Sequence, residues 1–192
     1  MIGAVLAGGA ARRMGGTKPA AELGKRPLIS YPVAAMSEVC ERVAVVCKAS
    51  TPLPDLEGVE RWDEPAEPTH PLAGIVHALE RAGEPVLVCA ADMPFVTADA
   101  LRTIVHAGQR AAGTPAVVAV ADGMLQPLLA LYAPACLERF RTAEAAARLT
   151  DTVEALGPVR VALPGRLVTS VDTPDQLSAA EAELSGRSAP RP

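Results

Sequence analysis

Aromatic side chains are scarce in this chain of 192 residues, since they make up only 3% of it. Apolar residues nevertheless account for 49% of the chain, so its core must consist mainly of valine, leucine, isoleucine and alanine. The length suits one α/β domain and is too short for two of ordinary size. We therefore expect a single domain over residues 1–184 and a polar, disordered tail over residues 185–192.

The sequence also lacks an excess of positive charge, a long apolar run and a basic leader. Its formal net charge is −4, which argues against a nucleic-acid-binding protein that depends on phosphate contacts. No apolar run approaches the roughly eighteen residues that a membrane-spanning helix needs. No basic segment precedes the apolar N-terminal stretch, as it would in a signal peptide. These absences predict a cytoplasmic enzyme that binds neither nucleic acid nor membrane.

The few cysteines and histidines show no metal-ligand spacing. The four cysteines are widely scattered and form no C-x-x-C pair, so we interpret them as reduced, buried small residues rather than as a disulfide or zinc site. The three histidines are equally spread out and are expected to serve surface contacts or helix packing. No Ser, His and Asp combination suggests acyl transfer.

The stretch from Ile2 to Lys18 carries the strongest functional signal. The apolar run Ile2–Ala7 has the length of a strand buried on both faces, and it is followed by four glycines, two arginines and a lysine. Glycines allow backbone N–H groups to approach a ligand closely, and fixed cations beside them favour an anion. The pattern predicts a phosphate-binding loop, whereas the simpler alternative is a tight strand-to-helix turn with solvated basic residues.

Two familiar phosphate motifs do not fit this loop. A Walker loop needs Gly directly before Lys and then Ser or Thr, but Thr17 precedes Lys18 and Pro19 follows it. The dinucleotide spacing G-x-G-x-x-G is absent from the loop. The spacing L-A-G-G-x-x-x-R-M-G-x-x-K instead resembles nucleotidyltransferases that activate cofactors and sugars. The form with Leu6-Ala7-Gly8-Gly9 most resembles the molybdenum cofactor guanylyltransferase (MobA) family.

Hydrophobic patterning predicts strands that alternate with helices along the chain. Predicted strands after the first are Arg42–Cys47, Val59–Trp62, Pro85–Ala90, Ala116–Ala121, Pro127–Tyr132, Val159–Leu163 and Leu167–Val171. Predicted helices are Pro27–Cys40, Pro71–Ala82, Thr97–Gly108, Pro134–Leu156 and Thr173–Leu184, the fourth with a break near Thr150. We therefore expect an α/β protein with a mostly parallel central sheet and helices on both faces, the three-layer Rossmann-like nucleotidyltransferase fold of the family.

Asp92 follows a strand of apolar residues and precedes Met-Pro-Phe. Ligands bind at the carboxyl ends of parallel strands, so Asp92 and the glycine loop would face each other if their strands are neighbours. A carboxylate in this position needs a cation, and Mg²⁺ shared with phosphate oxygens is a suitable one. A cap for the next helix is the structural alternative. The segment resembles the D-x-P-F segment of the family, which implies that Asp92 is the Mg²⁺ ligand.

Two further segments of the nucleotide side carry the resemblance. Asp63, in a proline-rich loop, would by itself be a solvated charge, but the family has an Asp here that contacts the nucleotide, with Glu64 as the neighbouring candidate. Pro71-Leu72-Ala73-Gly74 resembles the family segment P-L-A-G at a helix start, where N–H groups and a close-approach glycine suit phosphate. Composition alone would equally allow a helix start that packs on the sheet.

Other segments match less closely or depart from the family. Gln126-Pro127-Leu128 resembles a segment near the pterin side, and Asp172-Thr173-Pro174 resembles N-x-N-T-P, although Asp172 stands where Asn is usual. A helix cap could be the whole role of the latter segment. Thr17 replaces a frequent acidic residue, and Cys47-Lys48-Ala49 replaces an Asn-containing segment expected near guanine.

The resemblance implies transfer of GMP from Mg·GTP to the terminal phosphate of molybdenum-bearing molybdopterin, with release of pyrophosphate. It implies catalytic roles for Arg13, Lys18 and Asp92, and Asp92 as the metal ligand. The implied nucleotide-binding residues are Leu6, Ala7, Gly8, Gly9, Lys18, Asp63, Pro71, Leu72, Gly74 and Asp92. Its partners would include proteins that deliver or accept the cofactor. The alternatives are a nucleotidyltransferase that uses CTP on molybdopterin or acts on a sugar or alcohol phosphate, and a non-catalytic nucleotide-binding subunit.

Overall fold

A computed structural model describes residues 1–8, 18–143 and 147–188. These ranges contain nine strands: β1 (Ile2–Leu6), β2 (Glu22–Leu23), β3 (Arg26–Pro27), β4 (Arg42–Lys48), β5 (Val59–Glu64), β6 (Val86–Ala90), β7 (Ala116–Ala121), β8 (Met124–Tyr132) and β9 (Val159–Ala162). The α-helices are α1 (Ser30–Ser37), α2 (Pro71–Ala82), α3 (Ala98–Arg110), α4 (Leu137–Arg141), α5 (Leu149–Glu154) and α6 (Pro174–Ser188). No helix within these ranges is long and apolar enough to cross a bilayer.

Seven strands form the central sheet in the order β5-β4-β1-β6-β8-β7-β9. All neighbouring pairs are parallel except the two that involve β8, which is antiparallel to both β6 and β7. The expected mostly parallel sheet is therefore confirmed. The chain moves from β1 outward through β4 to β5 and then returns to place β6 on the other side of β1. This reversal makes the gap between β1 and β6 the switch point at which ligands bind in such sheets.

The core consists of two layers, one on each face of the sheet. On one face, α1 and α3 pack through residues such as Met36 and Ile104. On the other face, α2, α4 and α5 pack through residues such as Ile75, Phe140 and Val153. Aliphatic side chains dominate both layers, as the composition predicted, and the aromatic residues Trp62, Tyr132 and Phe140 are buried in the second layer. Helices on both faces of the sheet confirm the expected α/β architecture.

Several element boundaries differ from the prediction. The predicted strand Leu167–Val171 is wrong, because Gly165–Val168 form a 3₁₀ turn in which the Leu167 amide donates to the Pro164 carbonyl. Short apolar runs do not distinguish a strand from a buried turn. The predicted helix Pro134–Leu156 is instead a 3₁₀ turn followed by the two short helices α4 and α5.

Two other helices also differ from the prediction in where they begin or end. The first predicted helix begins only at Ser30, because Arg26–Pro27 pair with Glu22–Leu23 in a small hairpin. The last helix ends at Ser188, beyond the predicted Leu184, since no proline occurs before Pro190 to stop it. Residues 185–188 of the expected tail are therefore helical, and residues 189–192 lie outside the described ranges.

Candidate active site

The residues that follow β1 and β6 lie side by side at the switch point. Leu6 and Ala90 are register partners, and beyond them the Ala91 amide donates to the Leu6 carbonyl at 3.0 Å. On the other side, the Ala7 amide donates to the Val46 carbonyl at 2.8 Å. The strands that precede the glycine loop and Asp92 are thus neighbours, as the expected site requires, and Gly8 follows β1 between β4 and β6.

Asp92 is half-buried in a loop that is anchored on several sides. Phe95 is 3% exposed and belongs to a small cluster with Leu23, Leu28 and Val171. The Val171 amide donates to the Asp92 carbonyl at 2.9 Å. Thr97, rather than Asp92, caps α3, since its hydroxyl accepts from the Ala100 amide at 3.3 Å. The alternative in which Asp92 caps the next helix is therefore wrong.

The carboxylate of Asp92 is compatible with a divalent cation. In the described part of the chain, no three His, Cys, Asp or Glu side chains are grouped to form a complete metal cage. Mg²⁺ is commonly held by one or two carboxylates together with substrate phosphates. Asp92, just beyond the carboxyl end of β6, fits that mode of binding. The Asp92 charge also contributes to raising the pKa of the Cys89 thiol, after the larger effect of burial.

Asp63 and Glu64 point to opposite faces of β5. The Asp63 side chain is 52% exposed, and its carboxylate accepts from Arg61 Nε at 2.7 Å. The Glu64 side chain is only 5% exposed and lies beside Gly8, where a methyl group would overlap its Oε1 atom. The strand also extends two residues beyond the predicted end at Trp62. The structure thus places Glu64, and not Asp63, beside Gly8.

The start of α2 packs against the ends of β1 and β5. Its first residue is Pro71, and the His70 side chain caps it by accepting from the Leu72 amide at 3.2 Å. A Cβ atom at Gly74 would lie 3.3 Å from Glu64 Oε2 and 3.6 Å from Leu6 Cδ2. The observed role of Gly74 is therefore close packing, and the cap already engages one of the helix N–H groups considered for phosphate.

Gln126 lies on β8, which neighbours β6 on the side away from β1, and Asp172 follows Val171, whose amide bonds to the Asp92 carbonyl. Gln126 precedes a wide register shift between β7 and β8, where the Tyr132 hydroxyl donates to the Pro127 carbonyl at 2.8 Å. Thr173 caps α6, since its hydroxyl accepts from the Gln176 amide at 3.3 Å while the Gln176 side chain accepts from the amides of Asp172 and Thr173. The predicted cap is confirmed.

Two predicted site residues, Gly9 and Arg13, lie outside the described ranges. Lys18 opens a 3₁₀ turn over Lys18–Ala20, and its side chain is likewise outside the description. The following segment returns to the core, because the Ile29 amide donates to the Pro19 carbonyl and the Leu28 amide to the Ala21 carbonyl.

Residues 3–160 match the model of the MobA-like NTP transferase domain. The chain belongs to this family. It is 32% identical over 198 residues to a molybdenum cofactor guanylyltransferase of Cereibacter sphaeroides, with 96% of this chain and 97% of the relative covered. It is 29% identical to a probable molybdenum cofactor guanylyltransferase of Mycobacterium avium, with coverages of 93% and 94%. The resemblance seen in the glycine loop is thereby confirmed, and the protein is a nucleotidyltransferase.

Solved structures show the same fold. The molybdopterin-guanine dinucleotide biosynthesis protein A of Archaeoglobus fulgidus has a TM-score of 0.76 at 27% identity, covering 97% of this chain and 100% of that one. The 2-C-methyl-D-erythritol 4-phosphate cytidylyltransferase of Thermus thermophilus has a TM-score of 0.70 at 21% identity, with coverages of 96% and 98%. The second likeness shows only that the fold is shared.

Proposed function

We propose that this MobA-like protein transfers GMP from Mg·GTP to the terminal phosphate of molybdenum-bearing molybdopterin. The observation that carries the proposal is the pairing of β1 with β6, which brings Gly8 and Asp92 to adjacent strand ends at the switch point. Family membership and relatives named as molybdenum cofactor guanylyltransferases support the choice of nucleotide and acceptor.

The proposed reaction is a displacement at the α-phosphorus of GTP. An oxygen of the acceptor phosphate forms the new P–O bond, and the bond from the α-phosphorus to the bridging oxygen breaks, so pyrophosphate leaves. The acceptor phosphate is already an anion at neutral pH and needs no strong base. Catalysis then depends on orientation and on neutralising charge.

The roles proposed for the described residues follow from their positions in the fold, and those of Gly9, Arg13 and Lys18 follow from the family resemblance. The backbone of Leu6 and Ala7 is fixed by hydrogen bonds to the neighbouring strands and would meet the nucleotide together with Gly8 and Gly9. We assign the triphosphate and the leaving pyrophosphate to Arg13 and Lys18, and the metal to Asp92. Mg²⁺ bound there would neutralise phosphate charge and favour departure of pyrophosphate. Pro71, Leu72 and Gly74 would support the nucleotide from the start of α2.

The acceptor is proposed to lie on the side of Gln126, because β8 is separated from β1 by the Asp92 strand β6. The wide register shift beside Gln126 supports this placement, because bulges often redirect side chains next to active sites. The cytoplasmic location and the cofactor delivery and acceptor proteins remain predictions. Asp63 remains a predicted nucleotide contact. To make that contact, its carboxylate would exchange the ion pair with Arg61 for a hydrogen bond to the nucleotide.

The test is a comparison of nucleotides. The protein is incubated with Mg²⁺, molybdopterin and each of GTP, CTP, ATP and UTP, and pyrophosphate and the dinucleotide product are measured. We expect product with GTP that requires both metal and acceptor. A preference for CTP would replace guanylyl by cytidylyl transfer, and absence of pyrophosphate release with every nucleotide would favour a non-catalytic nucleotide-binding subunit.

A further inference from the structure

Lys48 joins three points around the loop that follows β5. Its Nζ atom donates to the carbonyl oxygens of Pro65 at 2.5 Å and Pro68 at 3.1 Å, and it lies 3.4 Å from Glu64 Oε1. The hydrogen bonds to Pro65 and Pro68 use two of the three N–H donors of the ammonium group, and its charge is paired with that of Glu64. The side chain is 14% exposed, which means that little solvent competes for the interaction. Lys48 therefore ties the end of β4 to the segment that leads into α2.

Glu64 occupies the space between two glycines. Its Oε1 atom lies where a side chain at Gly8 would be, and its Oε2 atom would be 3.3 Å from a Cβ atom at Gly74. The Glu64 carboxylate is thus enclosed by Gly8, at which the glycine loop begins, and by the first turn of α2. A buried carboxylate is costly without a cation, and Lys48 supplies that cation from the neighbouring strand.

A second set of contacts holds the same two strand ends from the opposite face. The Arg61 guanidinium donates to the carbonyl oxygens of Lys48, Ala49 and Thr51 and to the Asp63 carboxylate. Lys48 reaches from β4 to the loop after β5, while Arg61 reaches from β5 to the turn after β4. The turn after β4 and the loop after β5 are therefore each anchored by a basic side chain from the neighbouring strand. Of these two side chains, Lys48 is the one that contacts the buried Glu64 carboxylate.

We propose that Lys48 and Glu64 form a positioning pair for the nucleotide. Lys48 holds the segment 65–68, and Glu64 sets the separation between Gly8 and the start of α2. Neither side chain needs to touch the substrate, because the pair acts through the backbone at these two places. The proposal rests on the nucleotide site of the proposed function, but it depends neither on the identity of the base nor on the acceptor.

The test uses Lys48→Met, which keeps most of the side-chain length and removes the charge. Mg·GTP affinity is measured by calorimetry, and KM and kcat by pyrophosphate release. We expect Kd and KM for the nucleotide to rise about tenfold or more, with a smaller change in kcat. The matched control is Arg42→Met, because Arg42 pairs with Glu60 at 2.7 Å between the same two strands at their opposite end. The control should stay within about twofold of the wild type.

Neutralising Glu64 separates pairing from general damage. Lys48→Met leaves a buried carboxylate without its cation, so Lys48→Met combined with Glu64→Gln should bind nucleotide more tightly than Lys48→Met alone. If Lys48→Met fails to fold, Glu64→Gln alone, which preserves the side-chain shape, should still weaken nucleotide binding.

Unchanged Kd and KM in the folded Lys48→Met protein would overturn the proposal, as would equal losses in Lys48→Met and Arg42→Met. If Lys48→Met does not fold, wild-type affinity in Glu64→Gln would overturn it instead. Wild-type protein that binds no nucleotide would contradict the proposed function itself, so the two failures are distinguishable.

Discussion

The Val171 amide donates a 2.9 Å hydrogen bond to the carbonyl oxygen of Asp92. This single bond joins the loop after β6 to the segment before α6, although the two are distant in sequence. The Thr173 cap then fixes the start of α6 directly after that segment. Asp172 therefore directly follows Val171, the residue whose amide bonds to Asp92, the proposed metal ligand.

The position of Asp172 leads to a prediction about metal affinity. Asp172→Asn introduces the amide that the family usually has and removes a negative charge near the Asp92 loop. Because that charge favours a cation, we expect the Mg²⁺ concentration for half-maximal activity to rise roughly two- to fivefold, as suits an exposed charged contact. Asp175→Asn, in the first turn of α6, is the control and should leave it unchanged. A lower Mg²⁺ requirement in Asp172→Asn would show instead that Asp172 repels the substrate phosphate.

Asp92 should be essential for turnover without being essential for folding. Asp92→Asn keeps the side-chain shape but removes a charge-assisted contact worth about 1.5–3 kcal/mol, so kcat/KM should fall roughly 10- to 150-fold. Asp99→Asn provides a control, since Asp99 lies on α3 with its side chain 92% exposed. Thermal unfolding should show that the wild type, Asp92→Asn and Asp99→Asn are all folded. Near-wild-type GMP transfer by Asp92→Asn would remove Asp92 from its role.

Gly108 allows α3 to approach the sheet closely. A Cβ atom there would lie 2.7 Å from Leu131 Cδ2 and 3.5 Å from Val117 Cγ2. Gly108→Ala gains about 1 kcal/mol of helix propensity but overpacks the contact by about 1–3 kcal/mol, so we expect a net loss of about 1 kcal/mol in the free energy of unfolding. Urea unfolding measures it. In a Leu131→Val background, which makes room for the methyl group, the same change should cost less; an equal cost in both backgrounds would exclude the clash as the cause.

The four cysteines should be poorly reactive in the native protein. All four are buried free thiols, and burial raises the pKa of Cys40 and Cys136 to about 11 and that of Cys47 above its usual value. A pKa of 11 leaves only about one thiol in a thousand ionised at pH 8, and the thiolate is the reactive form. A thiol reagent should therefore titrate four groups rapidly in denaturant and fewer than one in the folded protein. Rapid native labelling at pH 8 would contradict the observed burial.

Much of the architecture could be predicted from the sequence because local patterns were strong. The apolar runs of β1, β4 and β6 have strand length, and Pro71 and Thr97 mark helix starts that the structure confirms. Weak or competing patterns failed. The apolar run Leu167–Val171 forms a turn rather than a strand, and Arg26–Pro27 pair in a hairpin rather than opening a helix.

The sequence by itself determined that a glycine loop and Asp92 follow buried strands, since hydrophobic runs and glycines act locally. Only the tertiary structure decided which of Asp63 and Glu64 lies beside Gly8. Successive residues of a strand point to opposite faces, and the pairing of β5 with β4 places Glu64 opposite Lys48 on the face that α2 covers. That choice depends on register and on a packed helix, and neither can be read from two adjacent carboxylates in the chain.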